Sequence, residues 1–241
     1  MNETRRIALI TGANRGIGFE TARQLARLGF KVIVTSRDGL QGKAAADKLQ
    51  SEALDVGYHP LDVTRPESIQ RVAEFLDNAF GRLDVLVNNA GIFPEIGYAD
   101  SRQQSILAAD ADVVRASLET NALGALEVTR ALVPPMQRNG YGRIVNLSSG
   151  YAQLTNMGGR FVAYRMSKAA VNVLTRVFAA ELAEDNILVN SVDPGWVRTR
   201  MGGPNATRSA AEAAEGIVWA ATLEDGGPTG GFYKAGEAVP W

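Results

Sequence analysis

The chain has 241 residues, 46% of them hydrophobic, enough to bury a sizeable core, and one domain spanning 1–241 is the expectation. Its 25 Lys+Arg nearly cancel 26 Asp+Glu, so no bulk field draws it to nucleic acid or to an anionic membrane, and small molecules are the expected partners. The absence of cysteine excludes disulfides, thiolate nucleophiles and zinc ribbons, and a single histidine, His59, excludes a histidine-rich metal site. No metal is expected. The first apolar run, 7–10, is too short for a signal peptide, and a cysteine-free chain fits a reducing compartment. A soluble, unprocessed, cytoplasmic protein is the resulting expectation.

Taken in chain order, 7–10 is a short apolar strand ended by glycine, 20–28 has helical spacing, and 32–35 is a second strand rich in β-branched residues, which together make a βαβ unit. The alternation continues with a strand at 56–61, a helix at 67–80, a strand at 83–87 and a helix at 113–132. Pro134-Pro135 is expected to kink or end that helix. A strand at 144–147 follows. From Val162 the spacing of Val171, Leu174, Phe178 and Leu182 is helical, and 187–192 is another apolar strand before the break at Pro194-Gly195. Strands alternating with helices predict an α/β, Rossmann-like fold, a doubly wound parallel sheet with helices on both faces and its ligand site beyond the carboxyl ends of the strands. The Gly-, Ala- and Ser-rich segment 201–214 reads as a mobile loop, with the substrate loop placed near 200–214.

The first strand ends in Thr11-Gly12-Ala13-Asn14-Arg15-Gly16-Ile17-Gly18 and runs into a helix. Glycines there let the backbone turn sharply and approach a pyrophosphate, whose charge a helix N-terminus favours. Their spacing differs from the common dinucleotide fingerprint, and an ordinary strand-to-helix turn reads the same way. In Tyr164-Arg165-Met166-Ser167-Lys168, residues four apart share one helical face. An ammonium beside a phenol stabilises the phenolate and lowers its pKa from about 10 toward neutrality. An exposed tyrosine and a snorkelling lysine would give the same spacing.

Together with Asn88-Asn89-Ala90-Gly91, Ser148-Ser149 and Pro194-Gly195, each after a strand, these motifs resemble the short-chain dehydrogenase/reductase family, in register along nearly the whole chain. The ending Gly230-Gly231-Phe232-Tyr233 to Trp241, with Asp193 through Thr199, is most similar to the carbonyl-reductase branch. The resemblance implies Tyr164 as general acid, Lys168 as its modulator and a ribose ligand, Ser149 rather than Ser148 as the donor to the substrate oxygen, and Asn121 as holder of a water in a proton relay. It further implies Gly12, Asn14, Arg15, Gly16, Ile17 and Gly18 at the phosphates, Asn89, Ala90 and Gly91 at the adenosine ribose, and Asp62 and Val63 at adenine. Pro194, Gly195, Val197 and Thr199 would hold the nicotinamide end. Asp62 reads equally well as a turn or cap residue, and Asn121 as a polar residue that bends a helix.

In the family frame the acidic residue that would accept from a ribose 2′-OH falls on Ser36, which is uncharged, while Arg37 and Arg15 supply cations for a 2′-phosphate. NADP(H) is therefore expected over NAD(H), although a register shift of one or two residues would bring Asp38 to the ribose. The expected function is that of an NADP(H)-dependent oxidoreductase moving a hydride between nicotinamide and a small-molecule carbonyl or alcohol. Reduction of a 3-ketoacyl thioester on the same scaffold, and a non-catalytic NADP(H)-binding sensor, are the alternatives. Oligomeric state stays open, since such families contain monomers and homo-oligomers. Phe93, Tyr151, Met157, Phe161, Trp196 and Met201 flank the proposed catalytic groups in sequence and line either an apolar substrate pocket or the core. His59 reads as structural, and Arg5 and Arg6 as solvated charges ahead of a strand.

Overall fold

A computed structural model describes residues 5–241; residues 1–4, part of the N-terminal stretch expected to be unprocessed, lie outside it. β1 (Ile7–Ile10) leads to α1 (Gly16–Arg27), β2 (Lys31–Ser36), α2 (Gly39–Gln50), β3 (Val56–Pro60), α3 (Pro66–Phe80) and β4 (Val85–Asn88). After a long connection come α4 (Ala111–Leu118), α5 (Gly124–Asn139), β5 (Gly142–Leu147), α6 (Val162–Glu181), β6 (Ile187–Val192), α7 (Ala210–Ala221), β7 (Phe232–Lys234) and β8 (Glu237–Ala238). The sheet order is β3-β2-β1-β4-β5-β6-β7-β8, parallel as far as β7, with β8 antiparallel to it. Chain order reverses between β1 and β4, which opens a crevice at their carboxyl ends.

The central strands are buried on both faces, as a parallel sheet with two helical layers requires. One core layer joins α1, α2 and α7 through Leu25, Leu49 and Ile217, and the opposite layer joins α3, α5 and α6 through Val72, Leu132 and Ala179. Among the described residues no helix is long and apolar enough to cross a membrane.

Two expectations are corrected, and one element was not foreseen. The two prolines do not end the long helix: α5 continues through Pro134 and Pro135 to Asn139 and stops at Gly140, which has φ of 61°. A helix-interior proline costs about 3 kcal/mol, but α5 buries Val128, Leu132, Val133 and Met136, each contributing about 1.5–3 kcal/mol. Packing outweighs the lost hydrogen bonds. Segment 201–214 is not one loop, because Ser209 and Glu212 form a reciprocal capping box that starts α7 at Ala210. That Ser-x-x-Glu signal was present in the sequence. Finally, α2 had no counterpart in the periodicity; Asp38 starts it by accepting from the Gln41 N–H.

Candidate active site

Every motif after β1, β4, β5 and β6 lies at the carboxyl edge of the sheet, and the strand reversal brings the first two into contact. Thr11 Oγ1 accepts from the backbone N–H of Asn89 and of Ala90, both at 2.9 Å. Asn89 Nδ2 donates in return to the carbonyls of Thr11, 2.7 Å, and Gly12, 3.0 Å. Asn89 thus staples the glycine turn to the β4 loop. A Cβ at Gly18 would lie 2.5 Å from Asn89 Nδ2, so the turn closes only because that position has no side chain. Gly12 and Gly16 adopt φ of 64° and 59°, and a Cβ at Gly16 would meet the Thr199 methyl at 3.3 Å, which places the loop after β6 over the turn.

These residues fit a dinucleotide. Arg15 at the N-cap of α1 makes no side-chain cap bond, and the first turn, with Ile17, carries no acid, so the helix offers its free N–H groups to an anion. Asn14 Nδ2 donates to Gln41 Oε1, 3.1 Å, tying the turn to α2. Arg15 and Arg37 are exposed, and neither has an ion pair among the described residues. Asp38 Oδ1 accepts from the Gln41 N–H and Oδ2 from Gln41 Nε2, at 3.0 and 2.8 Å. Its carboxylate is therefore engaged as the cap of α2. Ser36 is buried and donates to the Asp38 carbonyl, 2.6 Å.

Asp62 forms a turn, accepting from the Thr64 N–H and hydroxyl. Burial pushes its carboxyl up, but the Thr64 donors, with Arg65 and Arg37, hold it below its usual value overall. Val63 is buried against Gly124, where a Cβ would come within 2.8 Å. After β6, the Gly195 N–H donates to Asp193 Oδ1, 2.9 Å, the Pro194 carbonyl accepts from Arg208, 3.1 Å, and Val197 is buried in a bridge to Arg208.

At the reaction end, Asn121 sits in one π turn (Glu119–Leu123) that joins α4 to α5, a deformation frequent at functional sites. Its Oδ1 accepts from the Ile92 N–H, 2.7 Å, and its Nδ2 donates to the Ile92 carbonyl and to Ser167 Oγ, both 2.9 Å. Both side-chain N–H groups are committed, so a water would have to use the second lone pair of Oδ1 or the main chain. A Cβ at Gly91 would lie 3.2 Å from Asn121 Oδ1 and 3.6 Å from Lys168 Nζ, which shows how closely these groups gather.

Tyr164 and Lys168 are both buried on α6. The tyrosine ring stacks on Phe93 with centroids 3.9 Å apart, inside an aromatic cluster completed by Tyr151 and Phe161. Lys168 Nζ donates to the Leu147 carbonyl, 2.7 Å, and lies 5.8 Å from the Tyr164 ring centroid. The expected lowering of the phenol pKa is not what the protein alone produces. Burial pushes Tyr164 above its ordinary value; contact with Ser149 works against this, and Asp193 and Tyr151 add to it. Burial also lowers Lys168, to about 8. The phenol is thus held protonated, the form that donates to a developing alkoxide. Ser149, which starts a short turn by accepting from the Tyr151 N–H, faces this phenol, whereas Ser148 is buried against the α6 carbonyl of Lys168.

The sequence reading did not single out Glu95. It is buried after β4 and accepts from the Ala163 N–H, 3.1 Å, and the Tyr164 N–H, 2.8 Å. Thr11 and Ser167 were likewise not singled out as clamps, and nothing in their local spacing marks them. Phe93, Tyr151 and Phe161 cluster with Tyr164, Met157 Sδ accepts from Arg165, and Trp196 and Met201 stand exposed after β6. His59 stacks on Phe75, and no metal-binding group occurs among the described residues. Arg5 and Arg6 are exposed yet partnered, Arg5 with Asp55 and Arg6 over the Tyr141 ring. Cavities of about 150 and 390 Å³ lie elsewhere, against α7 and between α3 and α5.

Comparison with known proteins gives a consistent result. A family model described as short chain dehydrogenase matches residues 6–210. Carbonyl reductase (NADPH) 1 of Rattus norvegicus is 35% identical over 288 aligned positions, covering 100% of both chains. The NADPH-bound carbonyl reductase from chicken fatty liver superposes with a TM-score of 0.86 at 29% identity, over 98% of this chain and 99% of the other. The carbonyl reductase Sniffer of D. melanogaster gives 0.88 at 25% identity, over 98% and 100%.

Proposed function

Because the chain belongs to the short-chain dehydrogenase family, we propose that it is an NADPH-dependent reductase of carbonyl compounds in which Tyr164 is the proton donor. The observation that carries this reading is the convergence of the buried Tyr164 phenol, Ser149 and the Lys168–Asn121–Gly91 cluster at the edge where the glycine turn meets β4. Gly12, Gly16, Gly18 and the free N-terminus of α1 would hold the pyrophosphate, with Asn14 and Ile17 shaping the turn. Arg15 and Arg37 would hold the 2′-phosphate, Asp62 and Val63 would flank adenine, and Asn89, Ala90 and Gly91 the adjoining ribose. Pro194, Gly195, Val197 and Thr199 would close over the nicotinamide end. When bound, the dinucleotide supplies the hydride.

The residues of the chain then do the remaining work. Ser149 Oγ donates to the carbonyl oxygen and stabilises the negative charge that grows there. Tyr164 gives that oxygen its phenolic proton, which burial has kept in place. Lys168, with a pKa near 8 and its ammonium fixed on the Leu147 carbonyl, stands within the same cluster to favour the resulting phenolate. Asn121 locks the β4 loop and α6 at the spacing this transfer needs.

NADPH oxidation measured over ketones, aldehydes, quinones and a 3-ketoacyl thioester tests the reading. Turnover with simple carbonyls and a loss of about 10²–10⁴-fold in Tyr164→Phe are expected. Full rate in that variant removes Tyr164 as the donor, preference for the thioester moves the assignment to acyl reduction, and NADPH binding without turnover makes the protein a sensor.

A further inference from the structure

We propose that Glu95 is a positioning residue for the carbonyl reduction, a cap supplied in trans that sets the place of Tyr164. The inference rests on the proposed function and adds a residue to its machinery. α6 begins at Val162, so Ala163 and Tyr164 are its second and third residues, the positions whose N–H groups an N-cap side chain ordinarily satisfies. The N-cap here is Phe161, which has no acceptor, and α6 has no acid in its first turn. Glu95 takes over both bonds from a distance of 68 and 69 residues in the chain, one carboxylate oxygen to each N–H.

Several features show that this is a specific device. Glu95 is 4% exposed and has no ion-pair partner among the described residues, so its charge is met by the two N–H groups and the positive end of α6. Arg160 and Phe161 precede the helix with φ of 66° and 57°, a left-handed pair that L side chains rarely adopt and that surrounding contacts must hold. Phe93, two residues before Glu95, stacks on the Tyr164 ring at 3.9 Å. One short segment therefore holds the backbone of the proton donor with a carboxylate and its ring with an aromatic face. The same segment follows directly from Asn89-Ala90-Gly91, so the coenzyme side and the donor are joined through it.

The test is Glu95→Gln, which keeps the shape but turns one acceptor into a donor aimed at an N–H. Since small displacements of a reacting group are costly, kcat should fall by about ten- to a hundredfold while the Kd for NADPH stays within about twofold. Amide hydrogen exchange at Ala163 and Tyr164 should accelerate by about tenfold, with the core of α6 from Val171 to Ala179 unchanged. Glu95→Ala should do the same more severely; if it does not fold, Glu95→Gln decides. An unchanged kcat in Glu95→Gln, or a parallel loss of kcat, NADPH affinity and protection throughout α6, overturns the inference and assigns Glu95 to stability alone. A wild-type protein that reduces no carbonyl sinks the proposed function and this inference with it, whereas an active wild type with a fully active variant sinks only the inference.

Discussion

Arg37→Ala removes an exposed cation that has no ion pair among the described residues, and its effect follows from how that cation is placed. Arg37 lies in the connection from β2 to α2, close enough to Asp62 to help hold its carboxyl down, but among the described residues it has no ion-pair partner to release. Its removal should therefore leave the fold intact and act on the 2′-phosphate alone. A charge-assisted hydrogen bond contributes about 1.5–3 kcal/mol. Solvent screening of an exposed group favours the low end, about 1.5 kcal/mol, or roughly tenfold in Kd. NADPH should thus bind about tenfold more weakly, and NADH, which lacks the phosphate, should change by less than about twofold. Titration of both coenzymes by fluorescence at low and high salt measures this, and the difference should shrink as ionic strength rises. Arg15→Ala should act in the same direction. Equal weakening of NADPH and NADH, or no change in either, would refute the assignment of Arg37 to the phosphate.

Asp38→Ala separates capping from coenzyme choice: it should cost about 1 kcal/mol in urea unfolding, as the loss of an N-cap does, and leave the NADPH/NADH preference unchanged. A shift in that preference would mean that Asp38 faces the ribose. Stability should also rise with pH from about 8 toward 10, because buried Lys168 has released its proton near 8 while an unfolded lysine holds one to about 10.4. Above about 10 the slope should reverse, since burial raises Tyr164 and the unfolded phenol ionises first. Urea midpoints across this range should lose the rise in Lys168→Met, and an identical curve in that variant would exclude Lys168 as its origin.

Much of the fold was legible because it rests on local patterns. β1 and β6 have the bounds that their apolar runs indicate, and α6 begins at Val162 as the 3.6-residue spacing requires. Tyr164 and Lys168 share a face for the same reason, and both lie at the carboxyl edge to which strand alternation assigned the ligand. The capping box of α7 was equally local, but its alanine- and glycine-rich surroundings resembled a loop. What the sequence could not reveal depends on which segments meet. Two prolines read as a kink or a helix stop, yet the helix persisted because its buried face packs on the sheet. Asp38 would reach the ribose after a register shift of one or two residues, and only the structure shows its carboxylate held by Gln41 as the cap of α2. Lys168 promised an acidified phenol, but burial governs both groups and raises the phenol.

Glu95 marks the limit most sharply. In sequence it is one acid in a loop, with no period or motif to distinguish it from a solvated charge. Only the tertiary structure brings it to the N-terminus of α6, where two backbone donors require acceptors. Backbone propensity and side-chain period act over a few residues, so a single chain displays them openly. Burial, pKa and capping in trans depend on neighbours far away in the sequence, and folding alone decides who those neighbours are.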